Sequence, residues 1–170
     1  LFAAADAAER DLLFEAAVAA GIPFIRVLRE SLYGEPITRV LGIINGTTNY
    51  ILTKMTDAVD SGGEADYGAA LKDAQSLGYA ERDPTADVEG YDAGAKAAII
   101  ATVAFGKRVV AGDVYHQGIS EITGSEIAIA RRPGYVGKLL GIVERDATTD
   151  EISVRVHPTM VPDHHPLATV

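Results

Sequence analysis

No cysteine occurs among the 170 residues, which removes both a disulfide framework and a thiolate metal site. Positive charge is scarce, with 15 lysines and arginines against 24 acidic residues and a net charge of −9. Phosphate binding needs clustered Lys and Arg, so this balance argues against nucleic acid as a partner. No run approaches the roughly 18 apolar residues of a membrane span, and no secretory signal is visible. A cytoplasmic protein without a membrane partner is therefore expected. Glycine-rich nucleotide loops are missing too. There is no G-x-x-x-x-G-K-[ST] phosphate loop, and no G-x-G-x-x-G follows a strand, so no dinucleotide-binding fingerprint is present. The histidines, His116, His157, His164 and His165, lack metal-ligand spacing on any helix. His157-Pro158 and His164-His165-Pro166 read as loops.

What is present suffices for a core: 48% of the residues are hydrophobic and 23% charged, a balance that disorder does not show. The length fits one domain or one lobe of a larger protein. Leu1–Arg10 reads as a helix already under way, and His165–Val170 has no stop character. The chain is expected to be an internal piece of a longer polypeptide.

Periodicity gives a coarse map. Asp11–Val18 reads as a buried strand with Glu15 as its odd charge. Phe24–Leu28 leads into a short helical turn at Arg29–Leu32. Ile37–Ile44 is β-branched and reads as a strand. Thr47 or Thr48 is expected to cap a helix running to about Val59. Asp66–Leu77 reads as a second helix, closed by Gly78, and Asp92–Phe105 as a long apolar helix ending at Gly106. Beyond it the pattern turns to strands at Val114–Ile119, Tyr135–Glu144 and Ile152–Val156, with a polar turn at Asp146–Asp150. The order lacks regular βαβ spacing and predicts an α+β fold rather than a doubly wound sheet.

One segment concentrates chemistry. Glu81, Asp83, Asp87, Glu89 and Asp92 place five carboxylates within twelve residues. They run into the apolar helix, which carries a single lysine, Lys96. Asp92 and Lys96 are four apart and share a helix face. An ordinary surface ion pair is the plain reading. Against it, the surrounding alanines, isoleucines and valine leave little polar face, and an ammonium sits poorly near a helix N-terminus. For the four loop carboxylates, a solvated loop with helix caps stands beside the binding of a substrate ammonium. An EF-hand is excluded, because Val88 and Gly94 fall where glycine and glutamate are required. Asn45-Gly46-Thr47-Thr48-Asn49-Tyr50 joins strand to helix; it can bind an anion or simply form a capped turn.

Three stretches carry a resemblance: Asn45–Leu52 (NGTTNYIL), Leu77–Ile99 (LGYAERDPTADVEGYDAGAKAAI) and Val154–Pro158 (VRVHP), with Arg26–Ser31 and the segment around Glu15 in agreement. Together they resemble the catalytic region of homoserine dehydrogenase, over nearly the whole chain. The resemblance implies a catalytic and dimerisation domain spanning residues 1–170, with a mixed, largely antiparallel sheet and helices packed on one face. It implies reduction of aspartate semialdehyde to homoserine with NADPH or NADH, the cofactor held mainly by a nucleotide domain outside this chain. It further implies a homodimer formed through the exposed sheet side. Matched position by position, Asp92 and Lys96 are the catalytic pair. Glu81 and Asp87 hold the substrate, and Thr47 belongs to the turn at the site. Glu15, Val18, Ala20 and Ile22 match a monovalent cation site, such as one for sodium, made mostly of backbone carbonyls. Pro133 and Gly137 stand where the family pattern leads one to expect larger apolar residues. An amino-acid or cation sensor without chemistry, or a purely structural oligomerisation domain, are the rival readings.

Overall fold

The computed structural model describes residues 1–170, which form two compact units, Leu1–Pro36 and Ile37–Val170.

In the first unit, α1 (Phe2–Ala7) is followed by an irregular segment and then by α2 (Phe24–Arg26), which runs into a single π-helical turn at Val27–Ser31. Val18, Ile25 and Leu28 form its small core. The strand expected at Asp11–Val18 does not form. The unit contains no strand for it to pair with, and an unpaired strand would leave its backbone groups without partners. The chain instead turns through Ala19 and Ala20, both in the left-handed region at φ 61° and 48°. Glu15, the odd charge, explains the choice. Its two carboxylate oxygens accept the backbone N–H groups of Ile25 at 2.8 Å and Arg26 at 2.7 Å. It serves the orphan donors that open a helix.

The second unit runs β1 (Arg39–Gly42), α3 (Gly46–Asp60), α4 (Tyr67–Ser76), α5 (Thr85–Val88), α6 (Tyr91–Phe105), β2 (Tyr115–His116), α7 (Gly124–Arg131), β3 (Tyr135–Arg145) and β4 (Ile152–Pro162). The strand order is β1-β3-β4-β2, with β1 and β4 antiparallel to β3 and β2 parallel to β4. The expected mixed, largely antiparallel α+β sheet is therefore present. The β3–β4 hairpin forms because Tyr135–Val143 is nearly continuous apolar sequence and Asp146 closes the turn, accepting N–H groups from Thr148 and Thr149.

Alternate residues of β3 face opposite sides. On one side a Cβ added at Gly141 would come 2.5 Å from Ile44 and 3.9 Å from Ala97 of α6, so the missing side chain lets these elements close on the sheet. A Cβ at Gly137 would meet Ile127 of α7 at 3.5 Å, an ordinary contact. Ile127 thus fills the space that a larger residue at 137 would take. On the other side Val136, Leu140, Ile142 and Val161 cluster with Leu167 and Ala168 of the 3-10 turn Pro166–Thr169.

Three further expectations change. The strand at Val114–Ile119 shrinks to Tyr115–His116, because Ile119 N–H turns to the Val88 carbonyl at 2.7 Å. Strand β4 continues through His157 and Pro158 to Pro162, where the sequence pattern predicts a loop. Proline is tolerated there because β2 pairs only with Arg155 and Val156, leaving the next stretch of that edge without a ladder partner. Helix α7 falls in a region read as strands and turns. Its capping box is complete: Thr123 Oγ1 accepts from Glu126 N–H at 3.3 Å, and the Glu126 carboxylate accepts from Thr123 N–H at 2.8 Å.

Candidate functional site

The site lies in the second unit, where the start of α3, the acidic loop and the first turns of α6 meet. Helix α3 is capped by Asn45, not by Thr47 or Thr48. The Asn45 Oδ1 accepts both the backbone N–H and the hydroxyl of Thr48, each at 2.9 Å. Asparagine is among the best residues for this position. Asn45 is 4% exposed. With its oxygen turned to the helix, its amide nitrogen faces away and donates to Asp87 Oδ1 at 2.6 Å and Asp92 Oδ2 at 3.0 Å. The Asn45–Tyr50 turn therefore offers side-chain donors to the protein's own carboxylates rather than to an anion.

Asp92 sits in the first turn of α6, and Lys96 follows one turn later. Their ion pair forms at 2.6 Å, with the side chains 32% and 27% exposed. Lys96 is thus half-buried rather than enclosed. Its Nζ also donates to the Ile44 carbonyl at 3.2 Å. An ammonium has three donors, so one N–H remains free of protein partners.

The short helix α5 brings Asp87 back toward α3. Thr47 Oγ1 lies 3.2 Å from Asp87 Oδ2 and 2.7 Å from the Tyr79 carbonyl, with a single proton to give. The loop is held in place from the β2 side. A Cβ on Gly118 would lie 2.3 Å from the Val88 carbonyl and 2.6 Å from Glu89 Cα, so only glycine permits this approach.

Asp87, Asp92, Lys96 and Thr47 are thereby gathered into one hydrogen-bonded group. Glu81 is exposed, and none of the structure's hydrogen bonds or ion pairs takes up its carboxylate. Its backbone carbonyl alone is fixed, by Gln75 Nε2 at 3.0 Å. The other two carboxylates of the segment serve the loop itself. Asp83 accepts the hydroxyl and N–H of Thr85, which hold its carboxyl below the usual aspartate range. Glu89 accepts from Ser120 at 2.6 Å.

The positions matched to a cation lie in the first unit. The Glu15 carboxylate caps α2, and the Ile22 carbonyl accepts from Phe24 N–H at 2.7 Å. No protein donor reaches the carbonyls of Val18 or Ala20. Such oxygens suit a hard cation, whereas a site built from three or more His, Cys, Asp or Glu is nowhere assembled.

One buried cation belongs to none of the sequence motifs. Lys138 on β3 is 2% exposed. Its Nζ donates to Asn49 Oδ1 at 2.9 Å, Thr53 Oγ1 at 3.0 Å and the Val170 carbonyl. Burial pushes its pKa down, with the charge of Asp57 opposing. The available signal was a lysine inside an otherwise apolar run.

The second unit is thus an α+β domain with an aspartate–lysine ion pair set beside further carboxylates. The sequence profile of homoserine dehydrogenase matches residues 23–170. The homoserine dehydrogenase of Mycobacterium tuberculosis is 57% identical over 171 aligned residues, which cover 98% of this chain and 37% of that protein. The Corynebacterium glutamicum enzyme is 55% identical, with the same coverages. Among solved structures, a homoserine dehydrogenase from Thiobacillus denitrificans matches with a TM-score of 0.90 at 46% identity, over 99% of this chain and 38% of that one. A hyperthermophilic archaeal homoserine dehydrogenase in complex with NADPH matches with a TM-score of 0.77 at 30% identity, over 98% of this chain and 45% of that one. The chain belongs to the homoserine dehydrogenase family, and it spans about 37% of the length of the curated relatives it matches.

Proposed function

We propose that this chain is the catalytic and dimerising part of a cytoplasmic homoserine dehydrogenase. The reaction interconverts L-homoserine and L-aspartate 4-semialdehyde, on the route to threonine, isoleucine and methionine. The observation that carries this reading is the Lys96 ammonium, anchored on Asp92 at 2.6 Å and the Ile44 carbonyl at 3.2 Å with one N–H left over.

A nicotinamide cofactor supplies the hydride when bound. No G-x-G-x-x-G turn occurs in this chain, and the cofactor is expected to be held mainly by a nucleotide domain elsewhere in the polypeptide. The work left to these residues is proton handling and positioning. Reduction of an aldehyde converts its oxygen to an alkoxide, which must gain a proton. The free N–H of Lys96 is suited to stabilise that oxygen and to donate the proton, with Asp92 holding the ammonium in place. The substrate's own ammonium requires carboxylates, and the unpaired Glu81 together with Asp87 supplies them. Thr47 lines the same turn. In the first unit, Glu15 and the carbonyls of Val18, Ala20 and Ile22 would hold a monovalent cation such as sodium, with a structural role.

The test is NADPH or NADH oxidation by the full-length polypeptide with aspartate semialdehyde. Turnover that is lost in Asp92→Asn supports the reading. Binding of homoserine with no turnover in the wild type would overturn it in favour of a sensor. The isolated 170-residue chain is expected to be inactive, and turnover by it would overturn the placement of the cofactor site.

A further inference from the structure

Asn45 does two things at once, and only one of them is a helix cap. Its orientation is fixed by chemistry. The Thr48 N–H is a donor, so the group 2.9 Å from it must be the amide oxygen. The amide nitrogen is then forced toward Asp87 and Asp92, at 2.6 and 3.0 Å. The oxygen accepts two hydrogen bonds and the nitrogen donates two, so the buried amide is fully satisfied.

The two carboxylates come from different elements, α5 and α6. They carry like charge and would separate if nothing lay between them. A neutral amide with two N–H groups is suited to hold both without adding a charge that competes with Lys96. The same Asp92 oxygen accepts from Asn45 and from Lys96, so a shift of the amide moves the lysine's anchor. Meanwhile Asp87 Oδ1 is held by Asn45, and its Oδ2 lies beside Thr47.

We propose that Asn45 is a positioning residue that sets the spacing between the substrate-side carboxylate, Asp87, and the proton-handling pair, Asp92 and Lys96. This rests on the functional reading above. Its predicted signature is a joint effect: loosening Asp87 raises KM, and loosening Asp92 lowers kcat. A cap alone would change stability and neither constant.

Asn45→Ser and Asn45→Asp separate the roles, because serine and aspartate both retain a capping oxygen while removing the two N–H donors. In the full-length polypeptide, Asn45→Ser is expected to keep an unfolding midpoint near that of the wild type, whereas Asn45→Asp, which buries a like charge beside two carboxylates, is expected to lower it and is compared under conditions where it is fully folded. Each should raise KM and lower kcat by about ten- to a hundredfold, the scale on which small misplacements act. Asn45→Asp should be the worse, since it sets a third carboxylate beside the other two. NMR titration with L-homoserine, without cofactor, should show weakened binding in both. Wild-type kcat, KM and homoserine affinity in these variants would overturn the proposal. So would losses that merely track unfolding and vanish at a temperature where the variants are fully folded. Lys96→Ala, measured alongside, separates the two levels. If it turns over normally, the functional reading fails; if it is crippled while Asn45→Ser is not, only the role of Asn45 fails.

Discussion

Lys96 and Lys138 are both lysines set among apolar residues, and they differ in what they have left to offer. Lys138 is the more deeply buried, at 2% exposure. Its three donors are all engaged, by Asn49, Thr53 and the Val170 carbonyl. Lys96 is half-exposed, ion-paired to Asp92, and keeps one N–H unengaged. The deeply buried lysine has no donor to spare, whereas the more exposed one keeps a spare donor beside a fixed carboxylate.

The strongest way to break that contrast is substitution of each lysine. In the full-length polypeptide Lys96→Ala should lower kcat by about a hundredfold to ten-thousandfold, the range for loss of a positioned proton donor. Its urea midpoint should stay close to that of the wild type. Lys138→Ala should do the opposite. It is expected to keep kcat and lose about 2–4 kcal/mol of stability, since it leaves the Asn49 and Thr53 acceptors unpaired and opens space beneath β3. Equal effects on activity from the two would erase the distinction.

Gly118→Ala tests how the Lys96 side is held. The new Cβ cannot coexist with the Val88 carbonyl 2.3 Å away, so the loop bearing Asp87 must shift. A stability loss of about 1–3 kcal/mol is expected, with an increase in KM and no change in the environment of Lys138. A wild-type KM with full stability would show that the loop is not pinned there.

Alkaline titration sharpens the Lys138 side. Burial lowers its pKa in the folded protein, so between that lowered value and the unfolded value of about 10.4 the unfolded chain binds more protons. Stability contributed by this group therefore rises with pH across that window. Urea unfolding at pH 8 and pH 10 should show this rise in the wild type relative to Lys138→Met. Parallel behaviour of the two proteins would sink the assignment. The smallest expected effect is that of Glu81→Gln: stability within about 0.5 kcal/mol of the wild type, because the carboxylate is exposed and unbonded, but a raised KM. An unchanged KM would remove Glu81 from the site.

Much of this was legible in the residues, and the failures have physical causes. The β3–β4 hairpin and α6 follow from local pattern, but the extension of β4 past Val156 to Pro162 does not. Gly78 after α4, with φ +80°, follows from local pattern too. The capping signal for α7, Thr123 and Glu126 three apart, is also written in the sequence. Asp11–Val18 has the composition of a strand, yet a strand depends on a partner that composition does not record. Thr47 and Thr48 are good caps in isolation. Asn45 displaced them because its amide nitrogen found two carboxylates 42 and 47 residues away in the chain.

The sequence by itself determined the inventory: five carboxylates and one lysine in a single run, an α+β order of elements, and no glycine-rich cradle for a dinucleotide. It also set the Asp92–Lys96 pair, because residues four apart on a helix meet whatever else the chain does. Tertiary structure decided which carboxylates turn inward and which cap loops. It decided that Asn45 links Asp87 to Asp92, that Gly118 holds the loop, and that Lys138 rather than Lys96 is the buried cation. The reason is the same in each case. Hydrogen bonds and burial are satisfied between elements distant in sequence, and only the packed sheet and helices determine which groups come within reach.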